Sequence, residues 1–408
     1  MSEGRTPERE RDEDASAEQR IEHLYVHVPF CRSRCAYCDF HTLTIDDRAA
    51  DPRVQRFCER AVEVVVEQAE RGVVGDVETV YFGGGTPSAL VGALGPLVER
   101  IVSAVRARTG AEITVEANPD TSDVASFEAM RRAGVTRVSV GAQSFDDEVL
   151  VTLGRRHDAD AALRALDDAR RVGFDVSADL MCGVPGQTMA SWERTLETAL
   201  EDGLEHVSVY PLGLEEGTPL ARAVREGRAR GPDEDIVASM LELAERVLEA
   251  ADLARYEISN YAVPGRESRH NTSYWVGAPY LGVGPSAASM CGPSVAGRTG
   301  AGLSCESGTE RVRFVVGEGL EAFDEGALGR LREVECMTGR EADVEDVVLG
   351  LRLAAGVTAR RADAAGVLGA LEEMEKRDLL VRSSEGFRLH GRGWLLANEV
   401  FGTVWALR

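Results

Sequence analysis

The first half of the chain alternates between short β-strand patterns and longer helical patterns, and this order limits the folds that it can adopt. Apolar, β-branched runs of strand length lie at residues 24–28, 77–82, 112–116, 136–140, 174–180 and 206–210. Helical patterns, with apolar residues at spacings of three and four, lie at residues 57–71, 88–108, 159–172 and 191–202. This alternation predicts a parallel sheet with right-handed crossovers, either a barrel or an open doubly wound sheet.

Polar and glycine-rich residues follow these strand patterns at the ends where barrels hold their ligands. They are Gly83, Gly84, Gly85 and Thr86 in the second unit, Glu116 in the third, Gln143 in the fourth and Asp179 in the fifth. Each alone has a structural explanation, such as a tight corner or a solvated loop acid. Their repeated placement at strand ends favours a barrel, and six units predict an α/β fold with a partial (β/α)6 barrel.

Three cysteines lie close together directly after the first strand pattern. Cys31, Cys35 and Cys38 stand in HVPFCRSRCAYCDF, where two short loops suit one corner of an iron–sulfur cube. Three thiolates are one fewer than a four-iron cluster accepts, so one iron would stay open to a small molecule. Two alternatives are a zinc site that His41 closes and a disulfide, which needs an oxidising compartment.

Composition excludes several classes of function. A formal charge of −23 argues against a nucleic-acid partner, because phosphate binding needs a basic stripe. The other cysteines, at positions 58, 182, 291, 305 and 336, are too scattered for a disulfide framework. No apolar run reaches the ~18 residues that a membrane span needs, and the first residues lack a signal-peptide pattern. We therefore expect a cytoplasmic protein that is not an integral membrane protein.

The motifs, taken in chain order, resemble those of a known family. They are YVHVPF with CxxxCxxC, YFGGGTPS, VEANP, SVGAQSF, LGRRHD, DLMCGVPGQT and RHNTSYW. From about residue 24 to about residue 289 the chain resembles the radical S-adenosylmethionine (SAM) proteins of the coproporphyrinogen oxidase group, and within that group the HemW-type heme chaperones. The resemblance implies a radical-SAM partial barrel, a [4Fe–4S] cluster on the three cysteines, and SAM on the open iron.

The resemblance also implies which residues hold the methionine end of SAM. Carbonyls of the glycine turn, with Thr86 beside it, accept hydrogen bonds from the amino group. Glu116 and Arg155 flank the same end. Without the resemblance, Arg155 would be interpreted as a surface arginine on a helix.

The nucleoside end of SAM has its own residues in this resemblance. Gln143 and Asp179 match the positions that hydrogen-bond the ribose hydroxyls, which need amide or carboxylate partners. Tyr37, between the second and third cysteines, contacts the adenine, and Tyr25 lines the same end. No residue is assigned a catalytic role, and whether SAM is cleaved stays open.

Two features separate a heme chaperone from an oxidase in this resemblance. The oxidase branch extends its motif to CxxxCxxCxC, and Phe40 occupies the last of those positions here. The chaperone branch carries HNxxYW, which His270, Asn271, Tyr274 and Trp275 reproduce. Histidine can ligate heme iron, and tyrosine and tryptophan offer flat apolar faces to a porphyrin, although a histidine beside aromatics is more often structural.

The implied function is a heme chaperone that binds heme, a [4Fe–4S] cluster and SAM and delivers heme to an acceptor protein. Respiratory and membrane-associated proteins are the candidate acceptors. The first alternative is an oxygen-independent coproporphyrinogen III oxidase, and the second is a different radical enzyme that binds no heme. This chain departs from the related pattern GPGAHS, because it has GPSAAS at residues 284–289. Ala288 stands in place of a histidine, so any heme contact of that histidine would be lost.

The last part of the chain carries weaker signals. Residues 293–308 are rich in Gly, Ser and Ala, which predicts a flexible loop. Helical patterns follow from residue 341, with short strands near Leu380 and Phe387, and predict a winged-helix-like domain that serves as a lid or docking surface rather than in DNA binding. The predicted organisation is an acidic disordered extension (1–22), the barrel (23–255), a linker region with HNxxYW and the flexible loop (256–335), and the winged-helix-like domain (336–408).

Overall fold

The computed structural model describes residues 20–46 and 51–408. Most of the predicted acidic extension, residues 1–19, lies outside the described residues, and the first strand begins at Ile21. The elements of the first half are β1 (Ile21–Val28), β2 (Phe30–Cys31), β3 (Leu43–Thr44), α1 (Pro52–Glu70), β4 (Val74–Gly84), a 3-10 helix (Pro87–Ala93), α2 (Leu94–Ala104), β5 (Glu112–Ala117), a 3-10 helix (Pro119–Thr121), α3 (Val124–Arg132), β6 (Arg137–Gln143), α4 (Asp147–Thr152), α5 (Ala159–Val172), β7 (Asp175–Cys182), α6 (Met189–Glu201) and β8 (His206–Pro211).

The second half begins with α7 and ends with α16. Its elements are α7 (Pro219–Arg225), α8 (Glu234–Glu249), β9 (Ala254–Arg255), β10 (Asn260–Ala262), α9 (Arg269–Trp275), β11 (Tyr280–Val283), β12 (Ala288–Cys291), α10 (Pro293–Arg298), β13 (Thr309–Val316), α11 (Gly319–Phe323), β14 (Leu331–Thr338), α12 (Gly339–Gly350), β15 (Val357–Thr358), α13 (Ala359–Ala364), α14 (Leu368–Lys376), β16 (Leu380–Arg382), β17 (Gly386–Leu389), α15 (Arg392–Leu395) and α16 (Ala397–Trp405).

One large sheet organises the molecule. Its strand order is β14-β13-β12-β11-β1-β4-β5-β6-β7-β8-β10-β9. Strands β1, β4, β5, β6, β7 and β8 pair in parallel, and β11 joins the parallel set through β1. The predicted α/β fold with six parallel strand–helix units is confirmed, and the carboxyl ends of these strands share one rim.

Local sequence explains why the crossover helices form where they do. Helix α5 begins after Asp158, whose side chain accepts a hydrogen bond from the Ala161 amide, and ends at Gly173 with a φ of 94°. Leu166 and Ala169, three residues apart, are buried in the main core together with other apolar side chains of the helix. For α5 the range predicted from the apolar spacing, 159–172, is the range in the structure. In the described part of the chain, every helix is too short or too polar to span a bilayer.

The structure corrects the prediction of a linker over residues 256–335. This region contributes β10, β11, β12, β13 and part of β14 to the large sheet. The stretch predicted as a flexible loop begins with α10, because Pro293 suits a first helical position and Val295 and Ala296 are buried against the main core. Only residues 299–308 of that stretch lack helix or strand.

The C-terminal part has a hydrophobic core of its own. Buried side chains between Val344 and Val404 form a second cluster around α12, α14 and α16. A three-stranded antiparallel sheet in the order β15-β17-β16 contributes Val357, Leu380 and Phe387 to this cluster. The boundary predicted at 335/336 falls inside β14, and the winged-helix description stays a prediction.

Buried charges join the two cores. Arg311 on β13 donates to Glu345 and to Asp346 of α12, each at 2.5 Å. Arg313 also pairs with Glu345, and Arg361 donates to Asp346 at 2.7 Å. Both carboxylates are buried, so each depends on these guanidinium groups for the interactions that water would otherwise supply.

We predict that Arg311→Met lowers the free energy of unfolding by about 3 kcal/mol, because it leaves two buried carboxylates each with one partner fewer. Urea denaturation followed by circular dichroism measures the change. The matched control is Arg332→Met, which breaks an exposed pair with Glu318 and should cost less than about 1 kcal/mol. Equal losses in the two variants would contradict the prediction.

Candidate cofactor-binding site

A cavity of about 360 Å³ lies inside the barrel and opens beside the cysteine loop. Predicted site residues that line it are Cys31, Cys35, Cys38, Tyr37, Gly84, Gly85, Thr86, Glu116, Gln143, Arg155, Asp179 and Asn271. Predicted residues outside this lining are Tyr25, Gly83, His270, Tyr274 and Trp275. The structure therefore gathers the residues predicted for the cluster and SAM, except Tyr25 and Gly83, and of the HNxxYW motif it brings only the asparagine to the cavity.

The cysteine loop is held at the carboxyl end of β1. Strands β2 and β3 pair in parallel at its base, and the Ala36 amide donates to the carbonyl of Leu153 at 3.0 Å. Cys31 Sγ lies 3.4 Å from the hydroxyl of Thr86, and Cys35 Sγ accepts from Nη1 of a half-buried arginine, Arg155, at 3.4 Å. The loop thus presents its thiols to the cavity beside a permanent positive charge.

The geometry of the three cysteines distinguishes a [4Fe–4S] cluster from a zinc site. Within residues 20–46 and 51–408, no three His, Cys, Asp or Glu side chains converge closely enough to hold a single metal ion. His41, the candidate fourth zinc ligand, accepts instead from the Gly319 amide through Nε2 at 3.1 Å. A cubane differs from zinc because its cysteines bind separate irons. Three thiols that face one cavity therefore fit a [4Fe–4S] cluster better than a zinc ion.

Burial also affects the protonation of these thiols. It raises the pKa of Cys31 to about 11, and it raises the pKa of Cys38 above the ordinary value of a thiol. Ligation requires thiolates, so assembly of a cluster here releases protons.

Two acidic side chains, on β5 and β7, line the wall of the cavity. Glu116 accepts hydrogen bonds from the Tyr81 hydroxyl at 2.9 Å and from the Gly84 amide at 3.0 Å. Asp179 accepts from the Ser139 hydroxyl at 3.2 Å. Burial, and then the charge of Asp179, raise the pKa of Glu116 to about 7, and burial raises the pKa of Asp179. These carboxylates can accept hydrogen bonds from ammonium or hydroxyl groups of a ligand.

Arg155 is not the surface arginine that the helical pattern alone suggested. Its Nη2 donates to Oδ1 of Asn118 and to the carbonyl of Gly141, both at 2.7 Å. Both acceptors are neutral, so the charge of this half-buried guanidinium can attract an anion, such as the carboxylate of an amino acid. Gln143 ends β6 with a φ of 66°, at a break in the register with β7.

The glycine turn has a packing role that needs no ligand. Gly84 has a φ of 102°, and a Cβ there would lie 2.4 Å from the His27 ring. A Cβ on Gly85 would lie 2.7 Å from the carbonyl of Val28. Close approach of β4 to β1 therefore requires glycine at both positions, whatever binds beside them.

The HNxxYW motif forms α9, which closes the amino-terminal end of the barrel. His270 is 1% exposed, and its backbone amide donates to Glu112 at the start of β5. Its Nδ1 lies 2.7 Å from the Thr79 hydroxyl, and its Nε2 lies 2.9 Å from the Tyr274 hydroxyl. Burial lowers the pKa of His270 to about 3. Both ring nitrogens are engaged inside the protein.

The aromatic residues of the motif are also used within the fold. The ring of Tyr274 packs edge-on against Tyr280, with centroids 4.6 Å apart. Trp275 donates through Nε1 to Glu257 at 2.8 Å, and the guanidinium of Arg352 lies 4.9 Å from its ring. Arg352 covers Phe401 of α16 as well, so the motif helix joins the barrel to the C-terminal core.

Sequence reasoning missed several residues of the cavity. Asn118 follows β5, while Arg137, His206 and Tyr210 belong to β6 and β8 and line the cavity too. For the residues on strands, the sequence does carry a signal. Polar residues alternate with apolar ones along these strands, as in RVSVGAQ of β6. Alternating polar residues on a buried strand indicate a polar interior.

Comparison with known proteins agrees with the fold. A model of the Radical SAM superfamily matches residues 25–199, which contain the end of β1, the cysteine loop and the strands β4 to β7. The structure of coproporphyrinogen III oxidase (HemN) from Escherichia coli superposes with a TM-score of 0.77 and 21% identity, covering 96% of this chain and 91% of that one. Fold and cysteine motif together are those of a radical SAM protein.

Curated relatives narrow the family. The heme chaperone HemW of Mycobacterium tuberculosis (strain ATCC 25618 / H37Rv) is 36% identical over 386 residues, covering 93% of this chain and 94% of the relative. The heme chaperone HemW of Bacillus subtilis (strain 168) is 32% identical over 389 residues, covering 93% and 97%. The chain belongs to the HemW family.

We predict a pH-dependent effect of Glu116→Gln on the cofactor-free protein. A raised pKa means that ionisation of Glu116 costs stability as the pH rises from its ordinary value of 4.5 through about 7. The variant should therefore differ from the wild type by less than about 1 kcal/mol near pH 5 and exceed its free energy of unfolding by up to about 3 kcal/mol at pH 8.

Urea titrations at the two pH values measure this difference. Glu99→Gln, an exposed position on α2, serves as the control and should show no such trend. A stability difference for Glu116→Gln that does not grow with pH would contradict the raised pKa.

Proposed function

We propose that this protein is a cytoplasmic heme chaperone, which binds heme, a [4Fe–4S] cluster and SAM and passes heme to an acceptor protein. The observation that carries the proposal is similarity to curated heme chaperones over 93% of the chain, which includes the barrel and the C-terminal core alike. The similarity therefore extends beyond the barrel to the C-terminal core, on which delivery of heme would also depend.

The residues of the cavity support the cofactors of this proposal. Cys31, Cys35 and Cys38 would hold the cluster, which supplies an open iron for SAM and one-electron chemistry. Arg155 would provide a cation for the carboxylate of SAM, and Glu116 would provide an acceptor for the amino group. At the nucleoside end, Gln143 and Asp179 would bind the ribose, while Tyr37 covers the adenine from the cysteine loop.

Phe40 favours the chaperone over the oxidase. It lines the cavity, is 59% exposed, and stands where the oxidase branch has a further cysteine. An exposed aromatic ring at the mouth is a suitable contact for one face of a porphyrin. The structural similarity to HemN concerns the fold, so the oxidase remains the second candidate. A respiratory or membrane-associated protein is the acceptor that we propose.

Anaerobic reconstitution with iron and sulfide tests the cluster. We expect about four irons per chain in the wild type and less than half of that in Cys31→Ser, Cys35→Ser and Cys38→Ser, because each loses one thiolate ligand. Cys58→Ser on α1 is the matched control and should reconstitute fully. Full iron content in all three variants would refute the assignment.

The same reconstituted protein tests the chaperone against the oxidase. Heme should bind saturably, and coproporphyrinogen III with SAM and a reductant should remain unchanged. Robust decarboxylation of coproporphyrinogen would overturn the proposal in favour of the oxidase.

For His270 we predict a positioning role rather than ligation of heme iron, since both ring nitrogens are bonded inside the fold. His270→Ala should lower the free energy of unfolding by about 2–4 kcal/mol while the Soret band of bound heme keeps its position. Thr79→Val, which removes one partner of the ring, should act in the same direction. A shifted Soret band in His270→Ala alone would identify the histidine as a ligand after all.

A further inference from the structure

The floor of the cavity carries buried polar atoms that no described residue satisfies. Thr114 is 1% exposed and His206 is 3% exposed, and both line the cavity. Oγ1 of Thr114 and Nδ1 of His206 have no hydrogen-bond partner among the described residues. An unpaired buried polar atom costs stability, and at the wall of a cavity a ligand can supply the missing hydrogen bond.

A guanidinium at the same floor lacks a carboxylate partner. Arg137, at the start of β6, is 3% exposed and lines the cavity. It donates to the carbonyl of Arg266 at 3.0 Å and to the hydroxyl of Ser177 at 2.9 Å. Among residues 20–46 and 51–408 it forms no ion pair, and these two bonds do not use all of its N–H groups. Buried charges in proteins are normally paired, so the missing partner is an anion.

The groups around Arg137 include a neutral histidine and an acid that lies beyond ion-pair distance. His206 binds Tyr256 through Nε2 at 2.9 Å and, being buried next to Arg137, has a pKa well below its usual value, so it is neutral. A neutral imidazole can still donate a hydrogen bond through its second nitrogen in one tautomer. Asp179 stands on β7 two residues beyond Ser177, and the charge of Arg137 counteracts the rise in the pKa of this acid without forming an ion pair with it.

This floor is distinct from the place of SAM. Arg137, Ser139, Gly141 and Gln143 alternate along β6 and all line the cavity, so the cavity follows the strand from its first residue to its last. Six residues of strand span about 20 Å, which places Arg137 far from the cysteine rim. The carboxylate of a SAM molecule bound at the open iron would meet Arg155 instead.

We infer that Arg137, Thr114 and His206 form a subsite for the carboxylate of an acidic ligand at the floor of the barrel. A guanidinium takes a carboxylate through two parallel hydrogen bonds, and the hydroxyl and imidazole can bond to the remaining lone pairs. Two ligands could supply the carboxylate. One is a free small carboxylic acid, and the other is a propionate arm of heme; the second source rests on the proposed function.

Sodium propionate is the probe for the free acid, with sodium chloride at equal ionic strength as its reference. Propionate should raise the thermal midpoint of the full-length, reconstituted wild type, and Arg137→Gln should lose this shift. Arg170→Gln is the matched control, because Arg170 lies on the outer helix α5 and pairs with Asp202. It should respond as the wild type does.

A second variant separates binding from folding. Thr114→Val removes an unpaired hydroxyl while keeping the shape of the side chain, so its thermal midpoint without ligand should equal or exceed that of the wild type. The concentration of propionate that gives half of the shift should increase several-fold. A stable Thr114→Val protein that loses affinity cannot be explained by misfolding.

Hemin and hemin dimethyl ester, in which the propionates are esterified, distinguish the sources. If heme supplies the carboxylate, hemin should bind at least tenfold more tightly than its ester and Arg137→Gln should abolish that difference. If a free acid supplies it, hemin affinity is unchanged in Arg137→Gln while the propionate shift is lost.

The subsite is overturned if Arg137→Gln and Thr114→Val keep the propionate response and the hemin-to-ester ratio of the wild type, or if the wild type shows neither effect. A wild type that binds no hemin refutes the chaperone proposal alone, and the propionate measurement then still decides the subsite.

Discussion

The close parallel pairing of β1 with β4 is the contact on which the rest of the molecule depends. It places the cysteine loop, which leaves β1, directly beside the glycine turn that ends β4. The approach is close enough that Gly84 faces the ring of His27 with no space for a Cβ. On its other edge β1 pairs with β11, through which the second half of the chain joins the same sheet. The cavity mouth and the junction between the two halves are thus fixed by one central strand.

Much of the barrel could be predicted from the sequence, because apolar periodicity reports local structure. The six parallel strands and α5 appear where that periodicity placed them. Residues at the strand ends, such as Glu116 and Gln143, also meet in one cavity, since parallel strands deliver their carboxyl ends to one rim.

What failed to be predicted depends on contacts distant in sequence. Composition suggested a linker for the region that forms the strands β10 to β13. These strands are short, and β10 and β11 pair with the distant strands β8 and β1, so they show little apolar alternation of their own. The interior position of His270 depends on Thr79, 191 residues away. Likewise, Arg155 is held in the cavity wall by hydrogen bonds to Asn118 and Gly141, which lie 37 and 14 residues away. Apolar spacing within one helix cannot reveal such contacts.

The stacking of Arg352 between Trp275 and Phe401 has a consequence for local unfolding. Trp275 lies on the helix that closes the barrel, and Phe401 belongs to the C-terminal core. Because one guanidinium contacts both rings, opening of the C-terminal core also loosens the contact that covers Trp275. Hydrogen exchange at the closing helix is therefore coupled to the stability of a core that lies far along the chain from it.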